Sequence, residues 1–364
     1  MSTSGYVSFD DIKFNTGTKV FYHEIQALKQ VTDLKFVIAR GYPGNDIPFI
    51  KFELEKWYQF NPFLADYFAA QLVPQEYYGV DLLHLACSPG ISLLNTVRPK
   101  KYVVHIMAHD RKSSIEEHEK YYGIGSYPFL HNIDPYLSKL LLKHADNSDA
   151  IVTASTPAAK WIRENTKARK IVSIPHGADT PNNIKSIPDQ FRVGYLGAFG
   201  PDKGLIYLIA AWKNFGNNGE LLFGGLCSQF MPQLVNQIGG TGYRFLGWLN
   251  DISDFYNQIS VYVQPSVTEG FGIEVPEAMA YGRPVIVTST TGASDLITDG
   301  VDGFIIPPRD PQAILDKLNY FKNNPSSIIE MGNTARKNSK KFTWDIAEQK
   351  YIELYKEILC LIHR

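Results

Sequence analysis

The run TEGFGIEVPEA, residues 268–278, combines two glycines, Gly270 and Gly272, with Pro276 and three carboxylates, Glu269, Glu274 and Glu277. Its surroundings, VYVQPSVTEGFGIEVPEAMAYGRPVIV, read strand, loop, helix, turn, strand. The helix is expected to start near Glu274 to Pro276, where proline suits the first turn. Gly270, Phe271, Gly272 and Ile273 then form the loop before it, and their backbone amides suit a phosphate. Glu269 and Glu277 flank that loop, and a carboxylate accepts hydrogen bonds from vicinal hydroxyls. Phosphate together with sugar hydroxyls describes a nucleotide sugar. Glu274 is read as an acid that favours the helix N-terminus electrostatically.

A second anion-binding candidate is GYLGAFGPDKGLI, 194–206. A strand ends in a glycine-containing turn, and Lys203 stands at a helix start, a point charge suited to phosphate. The turn is neither a GxxxxGK[ST] loop nor a GxGxxG fingerprint. By itself it is an ordinary strand-to-helix turn with a lysine.

The chain must position these residues with alternating strands and helices. KFVIARGY (35–42), DLLHLAC (81–87), KYVVHIMAH (101–109), DAIVTAS (149–155) and KIVSIP (170–175) read as strands. Their unbroken apolar character is that of parallel strands covered on both faces. Residues 18–30 and TPAAKWIRENT (156–166) read as helices, the latter with a Thr-Pro start. HGADTPNNIKSIPDQ, beginning at 176, is rich in Gly, Pro, Asn and Asp and reads as an interdomain connection. A second series follows: FRVGYLGA, ELLFGG, YRFLGW, VYVQP, RPVIVTST and GFIIPP. The expected fold class is α/β, two Rossmann-like domains with parallel sheets facing a cleft. The expected N-terminal domain is 1–180, and the expected C-terminal domain is 190–342. Residues 343–364, apolar at Ile346, Tyr351, Leu354, Ile358 and Leu361, read as an amphipathic helix.

Composition narrows the function. The 364 residues suit two domains, and a net charge of -1 gives no global field for nucleic acid or membrane. Cys87, Cys227 and Cys360 form no CxxC pair, so neither a disulfide framework nor a zinc site is expected. His105 and His109 share a strand face but stand about 13 Å apart, too far for one metal. The start MSTSGYVSFDD lacks a basic end and an apolar run, and no apolar stretch approaches membrane-spanning length. A cytoplasmic location is expected. Basic clusters at 98–101, 111–112 and 167–170 read first as solvated surface and second as a peripheral membrane contact.

The spacing Glu269-x7-Glu277 within EGFGIEVPEAMAYGRPVIVT resembles the signature of the retaining glycosyltransferases of family 4, the group 1 glycosyl transferases. The resemblance continues in the family's order through LGAFGPDKG, FLGWLND, GASDLITDGVDGFIIPPRD and FTWDIAEQKYIELY, nearly all of 192–355. IPHGAD (174–179) is similar to the family's lead into the domain linker, while the N-terminal half matches only in pattern.

The resemblance implies a GT-B fold whose C-terminal helix, 343–364, crosses back to the N-domain, and transfer of a hexose from a nucleotide-diphosphate sugar to an acceptor hydroxyl, without metal or other cofactor. It implies that Glu277 binds the ribose hydroxyls and Glu269 the donor sugar. Gly270, Phe271, Gly272 and Ile273 offer amides to diphosphate and sugar, and Lys203 neutralises the departing diphosphate. Gly247 and Trp248 fall on the base-contacting loop. Gly17 falls on the N-domain glycine loop, and His109 at a histidine that contacts the donor sugar. Two positions depart from the family: Ala198 stands where an arginine often precedes the lysine, and NTGT carries one glycine instead of two. The acceptor, whether lipid, glycan, protein or small molecule, is left open, as are UDP or GDP as the donor nucleotide. A carbohydrate phosphorylase and a non-catalytic sugar-nucleotide-binding subunit are the alternative readings.

Overall fold

Consecutive apolar residues do form parallel strands. A computed structural model describes residues 16–31, 75, 78–86, 91–106, 111–122, 142–143, 145–225, 235 and 238–360. In the N-terminal domain α1 (Thr16–Lys29), β1 (Leu82–Ala86), α2 (Ile91–Val97), β2 (Lys101–His105), α3 (Arg111–Tyr122), β3 (Ala150–Thr153), α4 (Thr156–Asn165) and β4 (Ile171–Ser173) follow one another. The four strands pair in parallel in the order β1-β2-β3-β4. The strand expected over 35–42 and His109 lie outside the described residues.

The C-terminal domain runs β5 (Arg192–Leu196), a 3-10 turn (Pro201–Lys203), α5 (Leu205–Phe215), β6 (Glu220–Gly224), β7 (Tyr243–Gly247), α6 (Ile252–Gln258), β8 (Val261–Gln264), α7 (Glu274–Ala280), β9 (Val285–Thr288), β10 (Gly303–Ile306), α8 (Pro311–Asn323) and α9 (Pro325–Ser339). Its sheet is parallel, in the order β10-β9-β8-β5-β6-β7. Every residue of β8 and β9 is buried, which is why neither alternates polar with apolar. The chain enters this sheet at β5, builds outward to β7, then returns to β5's other edge with β8. Where order reverses, the crossovers on either side diverge and leave a crevice at the strands' carboxyl ends.

Two details differ from expectation. The cap of α4 is Ser155, whose hydroxyl accepts from the amide of Ala158, with Thr156 already inside the helix. Gly17 sits in the first turn of α1 instead of in a loop.

The last helix, α10 (Trp344–Cys360), packs against α1 of the N-terminal domain. It buries Trp344, Tyr351, Leu354, Tyr355 and Ile358, whereas Ile346 is exposed. Its tyrosines end on buried charge. Tyr351 donates to Glu24 Oε1 at 3.0 Å, and Tyr355 is hydrogen-bonded to His84 Nδ1 at 3.0 Å. Glu24 also meets His105 Nδ1 and lies 3.4 Å from His84 Nε2. Burial alone would raise the Glu24 carboxyl, but the charges of His84 and His105 outweigh it and hold it well below the usual range. Among the described residues these three bring their ligand atoms within 4.8 Å of one another. The Glu24–His105 hydrogen bond, the Glu24–His84 contact and the tyrosines of α10 tie α1 to two strands and the final helix.

His176, on the connection between the domains, is buried against Phe271 at 4.9 Å, His105 at 5.8 Å and Trp344 at 6.3 Å between ring centres. Burial, then the charge of His105, pushes its imidazole down to about 3, with Glu24 opposing. The folded state therefore holds it neutral, while the unfolded chain protonates it near 6.5. The stabilisation is complete above pH 6.5 and is lost as pH falls toward 3. Urea titrations across that range should show His176→Gln with a shallower acid slope than the wild type, by up to ~1.4 kcal/mol per pH unit. Parallel slopes would contradict the assignment.

Candidate functional site

β5 and β8 are neighbours, so the loops leaving their carboxyl ends meet. After β5 the 3-10 turn carries Lys203, and Gly204 follows in the left-handed region with φ 67°. The loop after β8 crosses this turn closely. Val267 donates its amide to the Asp202 carbonyl at 2.8 Å, and a Cβ on Gly204 would stand 2.0 Å from the Pro265 carbonyl oxygen. This close approach delivers Lys203 Nζ to Glu269 Oε2 at 2.6 Å. Both side chains keep about a fifth of their surface open, 21% and 18%. Burial would lower the Lys203 ammonium, but Glu269 and then Asp202 more than compensate and hold it above the ordinary lysine range.

The far side of the EGFG loop is anchored to the segment after β9. Glu269 and Phe271 carbonyls accept from Gly292 and Ala293 amides at 3.1 and 2.7 Å. Gly272 takes φ 84°, which favours glycine, and α7 begins two residues later. Phe271 and Ile273 are buried, so the loop is fixed through their side chains. The N-terminal domain completes this anchor: Ser155 Oγ donates to the Gly270 carbonyl at 3.3 Å, and the Thr156 amide to Asp295 at 2.5 Å.

Glu277 lies one helical turn on, 6% exposed. Its Oε2 accepts from the Tyr256 hydroxyl of α6 at 2.9 Å, and its Oε1 lies 3.4 Å from Lys19 Nζ of α1. Burial raises its carboxyl, with Lys19 and Tyr256 opposing. Lys19 also binds Asp179 at 2.9 Å, so one N-domain lysine spans two acids beyond the linker.

Glu274 does more than favour a helix end. It opens α7, and a Cβ on Gly197 would lie 3.7 Å from its Oε1, which places the carboxyl beside the turn after β5. Burial first, then Glu269 and Glu277, raises it to about 8, with Lys203 opposing. At neutral pH this acid is mostly protonated.

Of the residues singled out in the sequence, Lys203, Glu269 to Ile273 and Glu277 converge on this crevice. Gly247 ends β7 with φ 71°, and the adjacent Trp248 is 52% exposed, a free aromatic face on the same sheet's carboxyl edge. Gly17 lies two residues before Lys19 in α1. Sequence reasoning missed Lys19 and Tyr256: one is a lysine among 36 basic residues, the other a tyrosine among 21. The position of Lys19, just after the glycine of NTGTK, is the one local signal for it.

Residues 190–324 match the family described as Glycosyl transferases group 1. An uncharacterized glycosyltransferase of Methanocaldococcus jannaschii is 29% identical over 215 residues, 58% of this chain and 60% of that protein. The capsular polysaccharide biosynthesis glycosyltransferase CapM of Staphylococcus aureus is 34% identical over 190 residues, 48% of this chain and 49% of its own length. The chain thus spans about half to three-fifths of the curated relatives it matches. Among solved structures, sucrose-phosphate synthase from Thermosynechococcus elongatus superposes with a TM-score of 0.74 at 20% identity, covering 95% of this chain and 94% of that one. HepE of Anabaena, in complex with UDP-glucose, gives 0.70 at 20% identity, covering 93% and 95%.

The Lys203 turn offers a direct check on this geometry. Gly204→Ala should destabilise the protein by at least ~1–2 kcal/mol, the cost of a left-handed Cβ, before its clash with Pro265 is counted. Thermal unfolding measures it, and an unchanged midpoint would contradict the close approach. The two parallel-sheet domains are those of GT-B glycosyltransferase structures, and the turn of Lys203, the EGFG loop and Glu277 lie inside the segment that matches the group 1 glycosyl transferases.

Proposed function

We propose that this protein is a metal-independent, retaining glycosyltransferase that moves a hexose from a nucleotide-diphosphate sugar to an acceptor hydroxyl. The observation that carries the reading is the meeting of Lys203, Glu269 and the EGFG loop at the crevice between β5 and β8. Two further facts support it: the group 1 match over 190–324, and the UDP-glucose held by the structurally similar HepE.

In this reading the ribose sits on Glu277 and the diphosphate lies along the amides of 270–273 toward Lys203. The hexose then lies against Glu269. The bond between the anomeric carbon and the diphosphate oxygen breaks, and its electron pair leaves with the diphosphate. Lys203 stabilises that charge, having been held protonated by Glu269 until then. The acceptor hydroxyl bonds the anomeric carbon on the face the diphosphate leaves, and its proton passes to a departing diphosphate oxygen. A protonated Glu274 avoids adding a third negative charge beside the leaving group. Among the described residues no helix is long and apolar enough to cross a membrane.

Thermal-shift screening against UDP, GDP and their hexose conjugates tests the donor site, with stabilisation of about 2.7 kcal/mol expected at a hundredfold excess over the dissociation constant. Lys203→Ala should lower kcat by ~10²–10³, the loss typical of one preorganised transition-state donor. Binding with no sugar release or transfer by the wild type would favour the non-catalytic alternative. Sugar release requiring inorganic phosphate would favour the phosphorylase.

Nucleotide diphosphate affinity should also fall as pH rises through about 8, where Glu274 ionises between Glu269, Glu277 and Lys203. Calorimetric titration from pH 6.5 to 9 should show this fall in the wild type and its loss in Glu274→Gln. A profile shared by both would remove Glu274 from the site.

A further inference from the structure

The turn after β5 supplies one cation to the crevice, Lys203, and Glu269 already engages it. Ala198 brings none: its carbonyl accepts from the Tyr195 hydroxyl at 2.7 Å, which only closes the turn. A nucleotide diphosphate brings two or more negative charges to a place where Glu269, Glu277 and Asp202 already stand. A second positive group would balance that charge, and the facing domain offers one.

Lys19 meets the requirement. It occupies the first turn of α1, a 14-residue helix whose positive end adds to the ammonium charge. Its side chain is only 12% exposed and crosses to the other domain, with Nζ 3.4 Å from Glu277 Oε1 and 2.9 Å from Asp179. Burial would lower this ammonium, but Glu277 and Asp179 outweigh burial and keep it charged. We propose that Lys19 is the second cation of the donor site, binding the diphosphate of the nucleotide whose ribose rests on Glu277. The inference rests on reading the crevice as a nucleotide-sugar site.

The exchange of partners is chemically simple. Glu277 Oε2 is taken by Tyr256, so an incoming ribose hydroxyl donates to Oε1, where Lys19 now lies. Lys19 loses part of that bond and keeps only Asp179, which is 67% exposed and a weak hold. Its three N–H donors then turn to the phosphate oxygens next to the ribose, a charge-assisted bond of the stronger class. Because the cation belongs to the N-terminal domain, diphosphate binding and domain approach reinforce each other.

The test is equilibrium binding of UDP by calorimetry and of uridine by ligand-observed NMR, with GDP or ADP and their nucleosides substituted if these bind more tightly. The full chain is compared as wild type, Lys19→Ala, Lys19→Gln and Lys19→Arg, with unfolding midpoints confirming that each folds. Lys19→Ala and Lys19→Gln should weaken the nucleoside diphosphate by about tenfold or more, equivalent to ~1.4 kcal/mol, and leave the nucleoside within about twofold. Lys19→Arg should retain most of the diphosphate affinity. Equal weakening of nucleoside and diphosphate would make Lys19 a prop for Glu277 and overturn the proposal. So would unchanged binding of both. If the wild type binds none of UDP, GDP or ADP, the nucleotide-sugar reading itself fails and takes this inference with it.

Discussion

Three carboxylates stand within nine residues at and inside one short helix, and the protein keeps them partly or fully buried. Isolated buried acids are costly unless paired or neutralised, so much of the surrounding structure answers that constraint. Glu269 is paired with Lys203, which only the β5–β8 adjacency brings near. Glu277 is held by Tyr256 of its own domain and by Lys19 of the other. Glu274, facing both acids, shifts upward instead and keeps its proton. On the proposed reading, a site arranged this way suits a ligand that carries hydroxyls for the acids and negative charge for the lysines.

The same demand fixes how the domains meet. Lys19 reaches Glu277 only while α1 stays seated, and α1 is seated by α10 returning from the far end of the chain. Tyr351 and Tyr355 close on Glu24 and His84, His23 lies 2.5 Å from Glu348 and stacks on Trp344, and Lys170 pairs with Glu357. On the other rim, Glu117 of α3 accepts from Arg309 at 2.5 Å and lies against Tyr207, beside the Lys203 turn. The crevice is thus gripped from two sides by ion pairs that cross between domains.

Most of the frame is legible in the sequence because it is written locally. Unbroken apolar runs mark the buried parallel strands, and the Glu269-x7-Glu277 spacing with its glycines marks the EGFG loop and α7. What escapes is what depends on distant pairing. Glu24 with His84 and His105 has no local period, since their partners lie on different elements and on α10. Lys19 and Glu277 are 258 residues apart. Tyr256 looks like any core tyrosine until α6 brings it to α7. Glu274 reads as a helix-end acid because its unusual protonation arises from burial first and from neighbouring acids second, not from its place in the helix. Small slips have local causes: Ser155 competes with Thr156 as the cap, and Ile346 belongs to the apolar pattern of α10 yet faces outward.

The account is tested most directly by a crystal structure of the protein with the nucleoside diphosphate that binds it most tightly. It predicts ribose hydroxyls on Glu277 and phosphate oxygens within hydrogen-bond distance of Lys203 and the amides of 270–273. A nucleotide seated elsewhere, or one in this crevice with its phosphates turned away from Lys203, would contradict it.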